Sequence, residues 1–243
     1  MNRIVSLEFK KRSQGVFELS TAALLVAVAM FCTAQSAQAQ TAGSFSVSVG
    51  ATHIAPSVKS GSLSSLTLAG TVPNAKIDVG SNTQATAALN YMATDAINLH
   101  LPLNFGFRHE VTGAGSIANM GKLADTRVLP ITLIAQYRFM EPNAAFRPYV
   151  GIGLTYANFY KEKGTGLLTA LTNPGGSATS LKFEDKLAPT VQLGGVVQLN
   201  DRWFVEGSYS KTFLKTQAKL STGQSIEVRL NPDAFTLQVG YRF

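Results

Sequence analysis

The sequence predicts an all-β protein, an eight-stranded antiparallel β-barrel that crosses a membrane, with four long extracellular loops and short periplasmic turns. Three observations predict it. First, the last nine residues alternate strictly: Phe235, Leu237, Val239, Tyr241 and Phe243 fall on one side of an extended chain, and Thr236, Gln238, Gly240 and Arg242 on the other. Tilted at about 45°, nine residues at roughly 3.3 Å each rise about 21 Å, close to the apolar band of an outer-membrane barrel. Second, after the first 39 residues no apolar run reaches the length of a spanning helix, so a membrane crossing must be made by a closed sheet. Third, the segments that alternate number eight, and the connections between them run long, short, long, short, long, short, long. Outer-membrane barrels have that rhythm, with even strand numbers and both ends in the periplasm.

Residues 1–39 read as an export signal that is removed, leaving 40–243 as the barrel. Arg3, Lys10, Lys11 and Arg12 supply a basic start, Leu19 to Phe31 an apolar core, and Ala37-Gln38-Ala39 a small-residue cleavage site before Gln40. The only cysteine, Cys32, lies inside that signal, with bulky Phe31 directly before it where a lipoprotein signal needs a small residue. The mature chain therefore carries neither disulfide nor thiol chemistry. Taking the signal's four basic and two acidic residues from totals of 21 and 14 leaves 17 and 12, a net charge of +5. That excess is scattered, with no basic run interleaved with aromatics, so nucleic acid is excluded as a partner and anionic lipid headgroups are favoured.

Along the mature chain the first strand is Ser44 to Thr52, with Phe45, Val47, Val49 and Ala51 on one face. Pro56 to Lys76 is rich in Ser and Gly and reads as a long loop, in which Leu63, Leu66 and Leu68 form a short apolar cover. The second strand, Ser81 to Met92, turns at Ala93-Thr94-Asp95 into the third, Ala96 to Arg108, where Ile97, Leu99, Leu101 and Leu103 alternate with Asn98, His100, Pro102 and Asn104. Gly113 to Lys122 is the next loop, and Thr126 to Phe139 the fourth strand. After Glu141-Pro142-Asn143 the fifth runs from Arg147 to Phe159. Within the loop Lys161 to Thr179, Leu167 to Leu171 predicts one helical turn ended by Pro174-Gly175-Gly176. The sixth strand, Lys186 to Leu199, turns at Asn200-Asp201-Arg202 into the seventh, Trp203 to Thr216; Gln217 to Pro232 is the last long loop. Tyr91, Tyr137, Phe139, Trp203, Tyr241 and Phe243 all fall near short turns or the terminus, where an aromatic girdle belongs.

The parity that turns the apolar faces to lipid assigns Gln84, His100, Gln136, Arg138, Gln192, Glu206 and Arg242 to the lumen. Arg138, Glu206 and Arg242 cluster near the periplasmic end and read as a charge network, since an inward ion needs partners or water, and such a network blocks a straight water pore. His53, His100 and His109 are the candidates for metal or base chemistry, but His100 has no second ligand at a suitable spacing and reads as a lumen hydrogen-bonding group. His109-Glu110 sits at the outer rim, where it could meet a cation or simply solvent. Ser208 and Ser210 share a face with Glu206, yet that strand contains no histidine, so a catalytic triad is remote. No cofactor, metal or catalytic residue is therefore assigned.

Several short motifs, in order, resemble the OmpW family of outer-membrane proteins, which includes the AlkL-type hydrocarbon importers. They are Asp78-Val79-Gly80-Ser81-Asn82-Thr83-Gln84, Tyr91-Met92-Ala93-Thr94-Asp95, Phe107-Arg108-His109-Glu110-Val111, Ala124-Asp125-Thr126 followed by Leu129-Pro130, Phe146-Arg147-Pro148-Tyr149-Val150-Gly151-Ile152-Gly153-Leu154, Gly164-Thr165-Gly166, Asn200-Asp201-Arg202-Trp203 and Gly240-Tyr241-Arg242-Phe243. The resemblance implies a Gram-negative outer-membrane barrel whose lumen is apolar towards the outside and which passes small hydrophobic molecules to a lateral opening in its wall. It also implies partners: the bilayer and lipopolysaccharide, the assembly machinery that reads the C-terminal strand, and small hydrophobic solutes. One departure is clear. Similar proteins often carry Trp-Tyr-Ile-Asp late in the seventh strand, where this chain has Tyr209-Ser210-Lys211-Thr212-Phe213. Three other readings fit the alternation: a structural or adhesive barrel with a sealed lumen, a lipid-modifying membrane enzyme, and a soluble lipocalin-type barrel with its apolar faces turned inward.

Overall fold

A computed structural model describes residues 40–63 and 74–243; the expected signal, Leu66 and Leu68 lie outside the described residues. The strands are β1 (Phe45–Ala55), β2 (Lys59–Ser60), β3 (Ala75–Val79), β4 (Asn82–Met92), β5 (Ile97–Leu103), β6 (Phe107–Gly115), β7 (Lys122–Arg138), β8 (Phe146–Gly164), β9 (Leu181–Phe183), β10 (Lys186–Gln198), β11 (Trp203–Thr212), β12 (Lys215–Leu220), β13 (Ser225–Arg229) and β14 (Asp233–Arg242). Eight of them, β1, β4, β5, β7, β8, β10, β11 and β14, pair antiparallel in that order, and β14 returns to β1 to close the barrel. Closure leaves no free edge in the hydrocarbon, which is what makes a sheet admissible there.

Outward parity is as the alternation predicts: Leu237 and Val239 are 64% and 43% exposed, while Gln238 between them is buried. Phe45, Leu133, Ile152 and Leu193 are likewise exposed on their own staves. Near the short turns the outward aromatics meet in pairs, Phe45–Tyr91 at 4.6 Å, Tyr137–Phe139 at 5.1 Å and Trp203–Tyr241 at 5.1 Å between ring centroids, forming a girdle at that rim.

Beyond the opposite rim the described residues carry more regular structure than their Gly- and Ser-rich composition suggests. The segment 56–76 contains β2 and the start of β3, and 217–232 is mostly the β12–β13 hairpin. β2, β13, β12 and β9 make a four-stranded sheet outside the barrel, and β3 pairs with β6 as a ribbon. The predicted helical turn is α1 (Gly166–Thr172), capped by Thr165 Oγ1, which accepts the Leu168 N–H at 3.3 Å. Most of the buried apolar core lies here, where Val111, Phe159, Phe183, Leu214, Leu220, Ile226 and Val228 pack together.

The third stave departs from the expected continuous strand 96–108. β5 stops at Leu103 and β6 begins at Phe107, with Gly106 between them at φ +85°, a conformation glycine adopts without a Cβ penalty. β5 pairs with β7 only from Ile97↔Tyr137 to His100↔Ile134, and pairing with β7 resumes at Phe107↔Val128. Pro102 sits inside the gap and has no N–H to give to a ladder.

Candidate functional site

The lumen is layered. At its base Arg138, Arg147, Tyr149, Glu206 and Arg242 are all buried. Tyr149 Oη donates to Glu206 Oε1 at 2.5 Å, Arg138 Nη1 donates to Gln40 Oε1 at 2.6 Å, and the Arg242 guanidinium lies 4.9 Å from the centre of the Phe204 ring. Arg147 is spent on main-chain carbonyls: Nη2 donates to Asp95 at 2.6 Å and Met140 at 3.2 Å, Nε to Phe139 at 3.2 Å, and Nη1 to Gln40 at 3.3 Å. One side chain thereby ties two short turns and the start of the barrel into a plug. Gly194 makes room for it, since a Cβ there would lie 2.4 Å from Tyr149 Cζ.

Above the plug lies an amide layer. Gln136 Nε2 donates to Gln192 Oε1 at 2.8 Å and Gln136 Oε1 accepts from Asn98 Nδ2 at 2.7 Å; His100 Nδ1 is 2.7 Å from Asn90 Oδ1. Higher still are two threonine ladders. Thr86, Thr52 and Thr236 join hydroxyl to hydroxyl at 2.9 and 2.9 Å, and Thr132, Thr155, Thr190 and Thr212 at 2.9, 2.6 and 2.9 Å. Hydroxyls satisfied by one another make no demand on a solute, so a stripe that is polar in sequence becomes a weakly polar wall.

Over the amides, and between these ladders, is a cavity with about 1110 Å³ of free space, part of it open to solvent. Its upper wall is apolar, with Ile54, Val128, Phe159, Phe183, Leu214 and Leu230. His100, Gln192 and Gln238 reach it from below, and none of the five plug residues lines it. Pro102, Asn104, Pro130 and Thr132 do line it, so the cavity extends to the unpaired seam between β5 and β7. On the lipid side of that seam stand Leu103, Phe105, Ile131 and Leu133, of which Phe105 is 77% exposed.

Of the lumen candidates, His100 and Gln192 line the cavity, Gln136 belongs to the amide layer, and Arg138, Glu206 and Arg242 belong to the plug. Gln84 has inward parity but is only half-buried and does not reach the cavity. Arg147 and Tyr149 were not among the candidates. Their signal was present in Arg147-Pro148-Tyr149, two inward positions of one strand, but an arginine at a strand start reads as a rim residue.

Each histidine is engaged apart from any serine. His53 Nδ1 is 2.7 Å from Thr83 Oγ1, and His109 Nδ1 is 2.7 Å from the Gly80 carbonyl oxygen. His109 turns into the cavity while Glu110 turns out to Lys122 at 3.0 Å, so the two do not share a cation. Among the described residues no group of three or more His, Cys, Asp or Glu is placed to hold a metal.

The family model described as OmpW family matches residues 41–243. The chain belongs to the OmpW family. It is 36% identical over 174 residues to Outer membrane protein W of Vibrio cholerae, covering 69% of this chain and 77% of that one. It is also 24% identical over 172 residues to Outer membrane protein AlkL of Ectopseudomonas oleovorans, covering 70% of each chain. The crystal structure of OprG from Pseudomonas aeruginosa superposes with a TM-score of 0.75 at 27% identity, covering 85% of this chain and 99% of that one. An OmpW-family barrel of this architecture is an outer-membrane protein, and the periplasmic and extracellular ends follow from its short and long connections.

Proposed function

We propose that the protein is a passive channel by which small hydrophobic molecules enter from outside and leave sideways into the bilayer. The observation that carries this reading is the coincidence of three features: an apolar upper cavity, a charged plug beneath it, and a stretch of wall at Pro102–Gly106 that has no ladder to β7 and that the cavity reaches. An apolar solute descending the lumen meets buried guanidinium groups that it cannot solvate, whereas the seam offers Leu103, Ile131 and the hydrocarbon beyond. Lining roles follow for His100 and Gln192. Gln136, Arg138, Glu206 and Arg242 act as the floor, and Gln84 stands beside the pathway. The outward Phe235, Leu237, Val239, Tyr241 and Phe243 serve as the strand presented to the assembly machinery after residues 1–39 are removed.

The test uses Pro102→Cys with Thr132→Cys, positions that the β5–β7 register would bring opposite each other if it continued across the gap. Cys32 is the chain's only native cysteine, so the introduced pair is the sole thiol pair in a mature chain. In lipid vesicles, uptake of an apolar fluorescent probe should fall when the pair is oxidised and recover on reduction. Uptake that is unchanged by oxidation removes the lateral exit; uptake equal with and without the protein removes the channel. A sealed adhesive barrel predicts the second result.

A further inference from the structure

The outward parity of three neighbouring staves continues beyond the membrane. β1 runs through Ser57 into β2, β11 through Phe213 and Leu214 into β12, and β13 through Leu230 into β14. Main-chain bonds stitch the two levels together: Ser57 N–H to Leu230 O at 2.8 Å, Leu230 N–H to Leu214 O at 2.9 Å, and Thr212 N–H to Pro232 O at 3.1 Å. The face that carries Val49, Leu237 and Val205 through the bilayer therefore carries Lys59, Arg229 and Lys215 above it. These three stand in one row, Arg229 being register-opposed to Lys59 on one side and to Lys215 on the other, and all are exposed. The other face of the same strands, with Val228 and Thr216, is buried.

Two features show that this row is more than a solvated face. Like charges directly opposite each other on a sheet repel, and the neutralisation here is incomplete. Lys215 meets Glu227 at 3.0 Å, while no carboxylate of the described residues lies within ion-pair distance of Lys59 or Arg229. The row also has a fixed height. Phe213, more than half exposed, is the outward residue directly below Lys215, and ten residues separate it from Trp203 of the opposite girdle, a rise of about 23 Å at a 45° tilt. Such aromatics mark the headgroup level of a bilayer, so the cations stand where headgroup phosphates stand.

We propose that Lys59, Arg229 and Lys215 form a binding site for the phosphate groups of the phosphorylated glycolipid of the outer leaflet, lipopolysaccharide. Two lysines offer mobile ammonium donors, and the central Arg229 offers a planar fork that matches a phosphate in two bonds. The site lies on the outside of the barrel and is independent of whether solutes pass through the lumen.

The full mature chain in detergent micelles is titrated with purified lipopolysaccharide and with the same lipid after chemical removal of its phosphates. The wild type should prefer the phosphorylated form by about tenfold or more, the scale of one or two charge-assisted bonds. The variant Lys59→Gln/Arg229→Gln/Lys215→Gln should lose that preference. A Lys59→Arg/Lys215→Arg variant, which keeps the charge and leaves Arg229 in place, should keep most of it, as should Lys76→Gln/Lys161→Gln/Lys163→Gln, which removes equal charge elsewhere on the extracellular surface. Equal affinity of the wild type for the two lipids overturns the proposal without recourse to any variant. So does an equal loss in the remote triple variant, which would mean diffuse charge, or equally tight binding of a sulfated polysaccharide, which would mean a soluble polyanion.

Discussion

At the scale of single residues, the lumen and the lipid face obey opposite rules. Glu206 is tolerated inside because Tyr149 donates to one of its oxygens; its other oxygen has no partner among the described residues. Tyr149→Phe removes the donor and strands the whole carboxylate, which should cost about 1–3 kcal/mol in a urea-folding titration into bilayers. An unchanged midpoint would mean that Glu206 is satisfied from elsewhere. Gly194→Ala should act on the same contact from the other side, because the new methyl would need the space that Tyr149 occupies. On the outer face the demand reverses. Leu237 is 64% exposed to what should be hydrocarbon, and Leu237→Arg should destabilise the barrel by about 2 to 4 kcal/mol if the residue lies near mid-membrane. Folding of that variant at the wild-type urea midpoint would place Leu237 at an interface instead.

At the scale of elements, strand periodicity made the barrel legible, but it did not reveal where a stave stops being paired. Leu99, Leu101 and Leu103 keep perfect alternation through the point where β5 leaves β7, because alternation reports which face is apolar and nothing about the neighbour. Pro102 and Gly106 were the available signals. Beyond the rim the difficulty was of another kind. β2 and β13 hold each other through Val228↔Ser60 and Arg229↔Lys59, so the order of the segment at 56–60 depends on residues far along the chain and left no local trace. Arg147 was hidden in the same way, since its partners are carbonyls in two turns and at Gln40.

The ribbon β3–β6 against β7 carries a testable acid response. Arg108 Nη2 donates to Asp125 Oδ1 at 3.0 Å, and Lys122 Nζ lies 2.7 Å from Asp125 Oδ2. The hydrogen bond from Lys122 is the main cause holding the Asp125 carboxyl below its ordinary range, with Arg108 adding to it against partial desolvation. A carboxylate with a depressed folded pKa stabilises above its unfolded value, and that contribution disappears as pH falls through the folded value. Hydrogen-exchange protection of β6, corrected for intrinsic rates, should therefore fall as the medium is acidified through the carboxylate range and should be flat over it in Asp125→Asn. A parallel response in both proteins would assign the effect to other groups.

At the scale of the whole molecule, this barrel is the inverse of a soluble protein in the membrane and an ordinary one above it. The membrane part exposes its apolar side chains and buries amides, hydroxyls and ions, so closure of the hydrogen-bond ladder and the lipid hold it together. The extracellular part buries Phe183, Ala218, Ile226 and Val228 in a conventional core. The two regimes meet at the cavity, because Phe159, Phe183, Leu214 and Leu230 belong both to that core and to the cavity wall. Damage to the cap should therefore reshape the entrance without melting the barrel. Val228 is fully buried, and Val228→Asp would place a carboxylate in an apolar core with no partner. The variant should keep the heat-modifiable gel mobility of a closed barrel, lose extracellular resistance to protease, and lose uptake of an apolar probe in vesicles. If uptake survives while the cap is digested, the mouth of the pathway is formed by the barrel rim alone. If gel mobility is lost as well, the cap and the staves fold as one unit, and the division between the two regimes does not hold.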